Sequence, residues 1–191
     1  MTAWRMLVSQ ARLRAGEDLL ILGVGGGVSS TGVQIGKLCG ARVWVTSSSD
    51  EKLERARALG ADECINYAKD DWVKAIAQKT GRRGVDVVLE NVGAATWPGA
   101  IRALAKGGRL VTCGGTSGPI CETDVRQVFW KQVSIIGSTM ATNGEFAEVM
   151  AQLFRGRLKA IVDSVMPLKD GVAAQERLAA GKQFGKIVLT P

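Results

Sequence analysis

Short apolar runs alternate with helix-periodic segments along most of the chain. Asp18-Leu-Leu-Ile-Leu-Gly23 is a continuous apolar stretch bounded by turn residues, which predicts a buried strand. Similar runs at 42–46, 64–67, 85–90, 109–113 and 133–137 bring the expected strands to six. Between them the apolar spacing turns helical. Trp4, Leu7, Val8 and Ala11 predict a first helix after Thr2, a candidate N-cap, with Gly16 as its stop. Val28, Val33, Ile35 and Leu38 fit a second helix, closed by Gly40. Ser48-Ser-Asp-Glu51 reads as a capping box opening a third, which runs to Leu59 before Gly60. Further helices are expected over 71–80, 96–105 and 124–131, and a second capping box, Thr142-Asn-Gly-Glu145, starts another that reaches Phe154. The rhythm changes at about Asn143. Two short apolar runs follow, at 163–168 and 185–190, flanking a helix over 170–180, and neither has an obvious place among the six strands.

Strands alternating with helices of about ten residues specify βαβ units and a parallel sheet. The expected fold is therefore α/β: a Rossmann-type, doubly wound, six-stranded parallel sheet with a C-terminal α/β extension. Residues 1–140 form the dinucleotide-binding domain in this reading, and 141–191 a C-terminal segment. Ligands of such sheets sit at the carboxyl ends of the strands, where the winding reverses. The relevant ends are 23–29, 90–93, 113–117 and 138–140, and all four are small, polar or glycine-rich.

The first of these ends carries the strongest signal. In Gly23-Val-Gly-Gly-Gly-Val-Ser-Ser30 a buried strand runs into four glycines and then into a helix. A pyrophosphate needs a tight turn, close approach to the backbone and free N–H groups at a helix start. Gly25, Gly26 and Gly27 supply the first two, and Val28, Ser29 and Ser30 the third. A literal G-x-G-x-x-G is absent, since Val28 or Ser30 stands at the third position. A ligand-free turn is the competing reading of the loop alone. At the tip of the second strand an NAD site wants a carboxylate for the ribose hydroxyls. Here the strand ends Val45-Thr-Ser-Ser-Ser49, followed by Lys52, which favours NADP(H) over NAD(H). Two features oppose this: Ser48 is expected as a helix cap, and Asp50 and Glu51 would repel a phosphate.

Composition narrows the chemistry. The 191 residues contain no histidine, which excludes a Ser-His-Asp triad, a Cys-His dyad and a His-ligated zinc within this chain. The four cysteines include no C-x-x-C, so no metal site is expected and the thiols read as small apolar residues. The formal charge of +7 is dispersed, with few aromatics to stack on bases, so no nucleic-acid partner is expected. No apolar run approaches a membrane span and the N-terminus lacks a signal-peptide pattern, so a cytoplasmic protein without membrane contact is expected.

The ordered set of motifs resembles the medium-chain dehydrogenase/reductase superfamily, in its zinc-type alcohol dehydrogenase and quinone oxidoreductase branches. The matching stretches are Thr2-Ala-Trp4, ILGVGGGVS, TSSSDEKLERARALGAD, Ile65-Asn-Tyr67, GVDVVLENVG, LAKGGRLVTCGGTSG, IIGSTM and the ending GKQFGKIVLTP. The resemblance covers essentially the whole chain. One departure is Ser29, where the family loop often ends in glycine; it would crowd the pyrophosphate or donate to it.

The resemblance implies hydride transfer between a nicotinamide and a carbonyl or activated alkene of a small-molecule substrate. It also implies roles. The backbone of Gly26, Gly27, Val28 and Ser29 faces the pyrophosphate. Ser47, Lys52 and Tyr67 surround the 2′-phosphate. Asn91, Val92 and Gly93 lie beside the ribose and nicotinamide. Gly114, Gly115 and Thr116, with Ser138, Thr139 and Met140, line the nicotinamide end. Lys186 reaches back to a cofactor phosphate. Family members carry about half their length before the Thr-Ala-Trp segment, as a substrate domain to which residues 141–191 would return. No catalytic acid or base is assigned here, and this chain alone is expected to bind cofactor with little turnover. The resemblance further implies a homodimer through the sixth strand. The competing functions are an S-adenosylmethionine-dependent methyltransferase, from the Gly23, Gly25, Gly27 spacing, and a non-catalytic cofactor-binding module.

Overall fold

The computed structural model describes all residues 1–191. Six parallel strands form one sheet: β1 (Asp18–Ile21), β2 (Arg42–Ser47), β3 (Glu63–Asn66), β4 (Val85–Glu90), β5 (Leu104–Thr112) and β6 (Ser134–Gly137). Their order is β3-β2-β1-β4-β5-β6, so the winding reverses between β1 and β4. Alternation inside the apolar runs decides which layer each residue joins. Leu19, Ile21, Val43, Val45, Val87, Leu89 and Val111 enter one core cluster, with Val33 and Ile35 of α2 (Gly27–Leu38). Leu20, Trp44, Val88 and Leu110 enter the other, with Ile76 of α4 (Trp72–Lys79) and Ile101 of α5 (Trp97–Ala103). Both faces of the central strands are covered, which is why β1, β2 and β4 are buried almost throughout.

The predicted helix after Thr2 takes a different form. Thr2 lies inside α1 (Thr2–Trp4), which continues as a π-helix, Arg5–Gln10. The chain then turns at Arg12, φ +50°, well before Gly16. The amide of Leu13 bonds back to Leu7 O at 2.9 Å, which draws Leu13 into the core. Gly16 instead makes the turn into β1, donating to Gly40 O at 2.9 Å. Leu104, expected in a helix, begins β5, which pairs with β4 through an irregular register between Val85 and Val87.

The third helix, α3 (Asp50–Ala58), is capped by Ser49, whose hydroxyl accepts from the Lys52 amide at 3.3 Å. The expected cap, Ser48, stands one residue outside it and is exposed. The capping box at Thr142 and Glu145 forms as expected at the start of α7 (Asn143–Phe154). After α6 (Val125–Lys131), β6 closes the sheet.

The last two apolar runs form their own parallel pair, β7 (Val162–Pro167) and β8 (Lys186–Thr190), joined through α8 (Gly171–Ala179). This small sheet is tied to the large one. Phe184, only 2% exposed, sits in the α2-side core under the Arg55 guanidinium, 4.5 Å from its ring centroid. Asp163 accepts from the Phe184 amide at 3.0 Å and from Arg177 at 2.8 Å, and Arg177 holds its carboxyl down at about 2.

Glu145 joins the other end of the C-terminal region to the first helix. Its carboxylate accepts from Ser9 Oγ, from the Thr142 amide at 2.6 Å and from Arg5 at 2.9 Å. These donors, Ser9 foremost, hold its pKa at about 2. A carboxyl whose pKa is lowered by folding stabilises above its unfolded value, about 4.3, and loses that contribution as pH falls toward the folded one. Glu145→Gln is therefore expected to unfold at lower urea than the parent at pH 7. The difference between the two midpoints should shrink as pH falls from about 4 to about 2. A gap that stays constant across this window would contradict the assignment.

Candidate functional site

The first crossover sets the geometry of the C-terminal rim. Gly23 has φ +65° and Gly25 φ +141°, a backbone that L side chains rarely adopt. Helix α2 then lies unusually close to the sheet. A Cβ at Gly36 would stand 2.7 Å from Leu19 Cδ2 and 2.8 Å from Val43 Cγ2, and one at Gly32 would meet Leu89 Cδ1 at 3.0 Å. The close helix–strand packing of the dinucleotide fingerprint is thus supplied by glycines within the helix, not by the third fingerprint position.

Ser29 does neither of the things expected of it toward a ligand. Its side chain is buried, and Oγ accepts from the amides of Gly26 at 3.1 Å and Gly25 at 3.2 Å. The amides of Gly27, Val28 and Ser29 have no hydrogen-bond acceptor in the protein. Three free N–H groups at the start of a twelve-residue helix form an anion-binding terminus. Two ammonium groups lie over it. A Cβ at Gly27 would fall 2.5 Å from Lys186 Cε and 3.2 Å from its Nζ, and one at Gly25 would fall 3.2 Å from Lys52 Nζ. Lys52 Nζ donates to Gly181 O, and the Gly185 amide to Gly25 O at 2.8 Å, so the C-terminal segment meets the loop directly. Burial lowers the Lys52 pKa.

The tip of β2 bears no carboxylate. Ser47 is buried and its Oγ accepts from the Ser49 amide at 3.2 Å. Ser48 is exposed and its hydroxyl has no partner. Asp50, read as a source of repulsion, is engaged by Lys69 at 2.6 Å and by Asn66 at 2.7 Å, and these bonds lower its pKa. Tyr67, 48% exposed, lines a cleft of about 330 Å³ with Gly23, Thr46, Trp72, Val92 and Thr96.

The β4 and β5 ends interlock. A Cβ at Gly93 would meet Gly118 O at 2.4 Å and Gly115 Cα at 2.8 Å, and one at Gly114 would meet Asn91 O at 3.3 Å. Thr116 Oγ1 donates to Asn91 O at 3.3 Å, while Asn91 Oδ1 is buried without a partner. A second cavity, about 480 Å³, is lined by Thr112, Cys113, Gly114, Ser138 and Thr139, with Arg5 and Gln10 from the first helix. Ser138 Oγ is also buried and unpartnered. Met140, φ +54°, is 73% exposed and lines none of these cavities.

Sequence reasoning missed Glu90. Its carboxylate is wholly buried at the end of β4. Oε1 accepts from Thr96 Oγ1 at 2.7 Å, the Val92 amide at 2.8 Å and the Gly93 amide at 2.9 Å, fixing the loop that carries Asn91, Val92 and Gly93. An acid ending the apolar run Val87-Val-Leu89, just before Asn-Val-Gly, was its signal. Thr46 Oγ1 braces Gly23 in the same way, accepting its amide at 3.1 Å. Among all residues, no three His, Cys, Asp or Glu side chains converge on a metal position.

The comparisons follow from this geometry. The model of the family described as zinc-binding dehydrogenase matches residues 27–155. The chain is 33% identical to a zinc-type alcohol dehydrogenase-like protein, YogA, of Leptosphaeria maculans, over 98% of its own length and 55% of the relative's. It is 32% identical to a quinone oxidoreductase of Mus musculus, over 98% and 59%. The crystal structure of an NAD-dependent alcohol dehydrogenase superposes with a TM-score of 0.94 at 41% identity, over 100% of this chain and 55% of that one. The chain spans little more than half the length of the relatives it matches.

Glu90→Ala leaves two amides and a hydroxyl without their buried acceptor, a loss of about 2–4 kcal/mol. Glu90→Gln retains a carbonyl oxygen and should cost less than half as much. Urea unfolding of the two variants checks this, and equal losses would argue against the bracing role.

Proposed function

Because the chain belongs to the zinc-binding dehydrogenase family of the medium-chain dehydrogenase/reductase superfamily, we propose that it binds NADP(H) in preference to NAD(H) for hydride transfer between the nicotinamide and a carbonyl or activated alkene. Its NAD(P)-binding domain is the part these residues comprise. The observation that carries the reading is the start of α2: three unpartnered amides with Lys52 and Lys186 above them. These amides and Lys186 receive the pyrophosphate in this proposal. Ser48, Lys52 and Tyr67 take the 2′-phosphate, supported by the bare tip of β2 and by the diversion of Asp50 to Lys69. Ser47 Oγ accepts from the Ser49 amide and keeps its hydroxyl proton to donate to the same phosphate. The cleft beside Tyr67 and Trp72 takes the adenine. Asn91, Val92 and Gly93 flank the ribose, and the cavity of Thr112, Gly114, Ser138 and Thr139 takes the nicotinamide. Met140 lies at the outer edge of that end.

When bound, the nicotinamide would exchange the hydride at its C4, and the residues of this chain would position it and exclude water. None of them is assigned as an acid or base. The substrate is a small molecule, and the proposal extends no further than its reducible or oxidisable group.

Calorimetric titration of the chain with NADPH and with NADH tests the assignment. NADPH should bind more tightly. Lys52→Gln should reduce the NADPH/NADH ratio about tenfold, while Lys186→Gln should weaken both cofactors to a similar degree. Tighter NADH binding would overturn the 2′-phosphate site, and no binding of either would overturn the cofactor site.

We further propose a homodimer through β6. The strand is the sheet edge, with unpaired backbone groups on one side, and its Ile135 is 41% exposed. Light scattering at high concentration should give twice the chain mass, and a sharp monomer mass would refute this.

A further inference from the structure

At the opposite rim of the sheet, where β4 and β5 begin, lies a cleft of about 260 Å³ lined by Arg82, Arg83, Arg102, Lys106 and Lys131 and by no acidic residue. Two of these cations are accounted for within the fold. Arg83 pairs with Asp86 and Asp18, each at 2.6 Å. Lys131 Nζ donates to Arg102 O at 2.8 Å, Leu104 O at 3.0 Å and Ile101 O at 3.4 Å, closing the carbonyl end of α5. Burial lowers its pKa.

Arg82, Arg102 and Lys106 differ. None of their side chains forms an ion pair or hydrogen bond in the protein, so the helix ends that explain Lys131 do not explain them. Arg82 is the sharpest case. It follows Gly81 in the left-handed region, at φ +67°, where glycine would be unstrained. The chain keeps a long cationic side chain at a position that penalises any side chain. Strained backbone of this kind concentrates at functional sites. The cleft's remaining wall is apolar, with Val73 and Ala77 partly exposed and Ile76 and Leu104 buried behind them.

We propose that this cleft binds a phosphate dianion, free or as a small organic monoester, between Arg82, Arg102 and Lys106. Guanidinium groups match phosphate oxygens in paired hydrogen bonds, and a lysine adds a point charge. The volume is too small for a second dinucleotide and suits a phosphate with a short apolar substituent against Val73 and Ala77, which are partly exposed. The site is independent of the cofactor reading, because it lies at the other ends of the strands.

Amide-resolved NMR of the full chain separates the two. Inorganic phosphate, titrated against chloride at constant ionic strength, should shift the amides of Gly81, Gly84 and Lys106 saturably. The half-saturation concentration should rise about tenfold in each of Arg82→Gly, Arg102→Gln and Lys106→Gln. Arg82→Gly removes charge and relieves strain together, so its Tm should hold or rise while binding weakens. Phenyl phosphate binding more tightly than inorganic phosphate identifies an organic monoester as the occupant; equal affinity identifies the free ion. Shifts confined to Gly27, Val28 and Ser29, identical shifts with chloride, or shifts unchanged in all three variants would each overturn the proposal.

Discussion

The amides that follow β1 fall into two sets, and their division governs the rim. Ser29 Oγ takes those of Gly25 and Gly26, while those of Gly27, Val28 and Ser29 remain free at the start of α2. The loop can be this tight because Gly32 and Gly36 let α2 settle directly onto the side chains of Leu19, Val43 and Leu89. A methyl group at Gly36 would overlap both Leu19 and Val43, lifting the helix and with it the three amides. Gly25 also supplies the carbonyl that anchors Gly185. The placement of the C-terminal strands, and of Lys186 above the helix start, therefore depends on the same loop.

Buried polar groups brace the rest of the rim from beneath. Thr46 holds Gly23, and Glu90 holds Val92, Gly93 and Thr96. Each spends its side chain on backbone inside the protein. A buried polar atom without a partner is costly, so these bonds hold the loops in one arrangement. The polar atoms left over, Asn91 Oδ1 and Ser138 Oγ, belong to the rim loops whose neighbours line the cavities. Rim residues thus divide into those that shape the backbone and those left for other contacts.

Much of this was legible in the chain. The six strands and the winding reversal follow from apolar runs spaced by helical periods, because both faces of a parallel sheet must be buried, whereas the mutual pairing of the two C-terminal runs was not read. The second capping box was readable because Thr142 and Glu145 interact within one turn. The first was misplaced by one residue, since three consecutive serines offer equivalent oxygens and only backbone geometry selects Ser49. The end of the first helix was missed because the pull on Leu13 is long-range packing, which outweighs the local stop at Gly16.

The sequence by itself determined the layer order, the position of the glycine loop and the absence of an acid at the tip of β2, all local in the chain. Tertiary structure alone decided the direction of Ser29, the engagement of Asp50 by Lys69 and the burial of Glu90 against its own loop. It alone gathered Arg82, Arg102 and Lys106 at one cleft, and set Lys186 over a helix that begins some 160 residues earlier. Side-chain direction depends on which partners a closed fold brings within about 3 Å, and those partners come from distant segments of the chain.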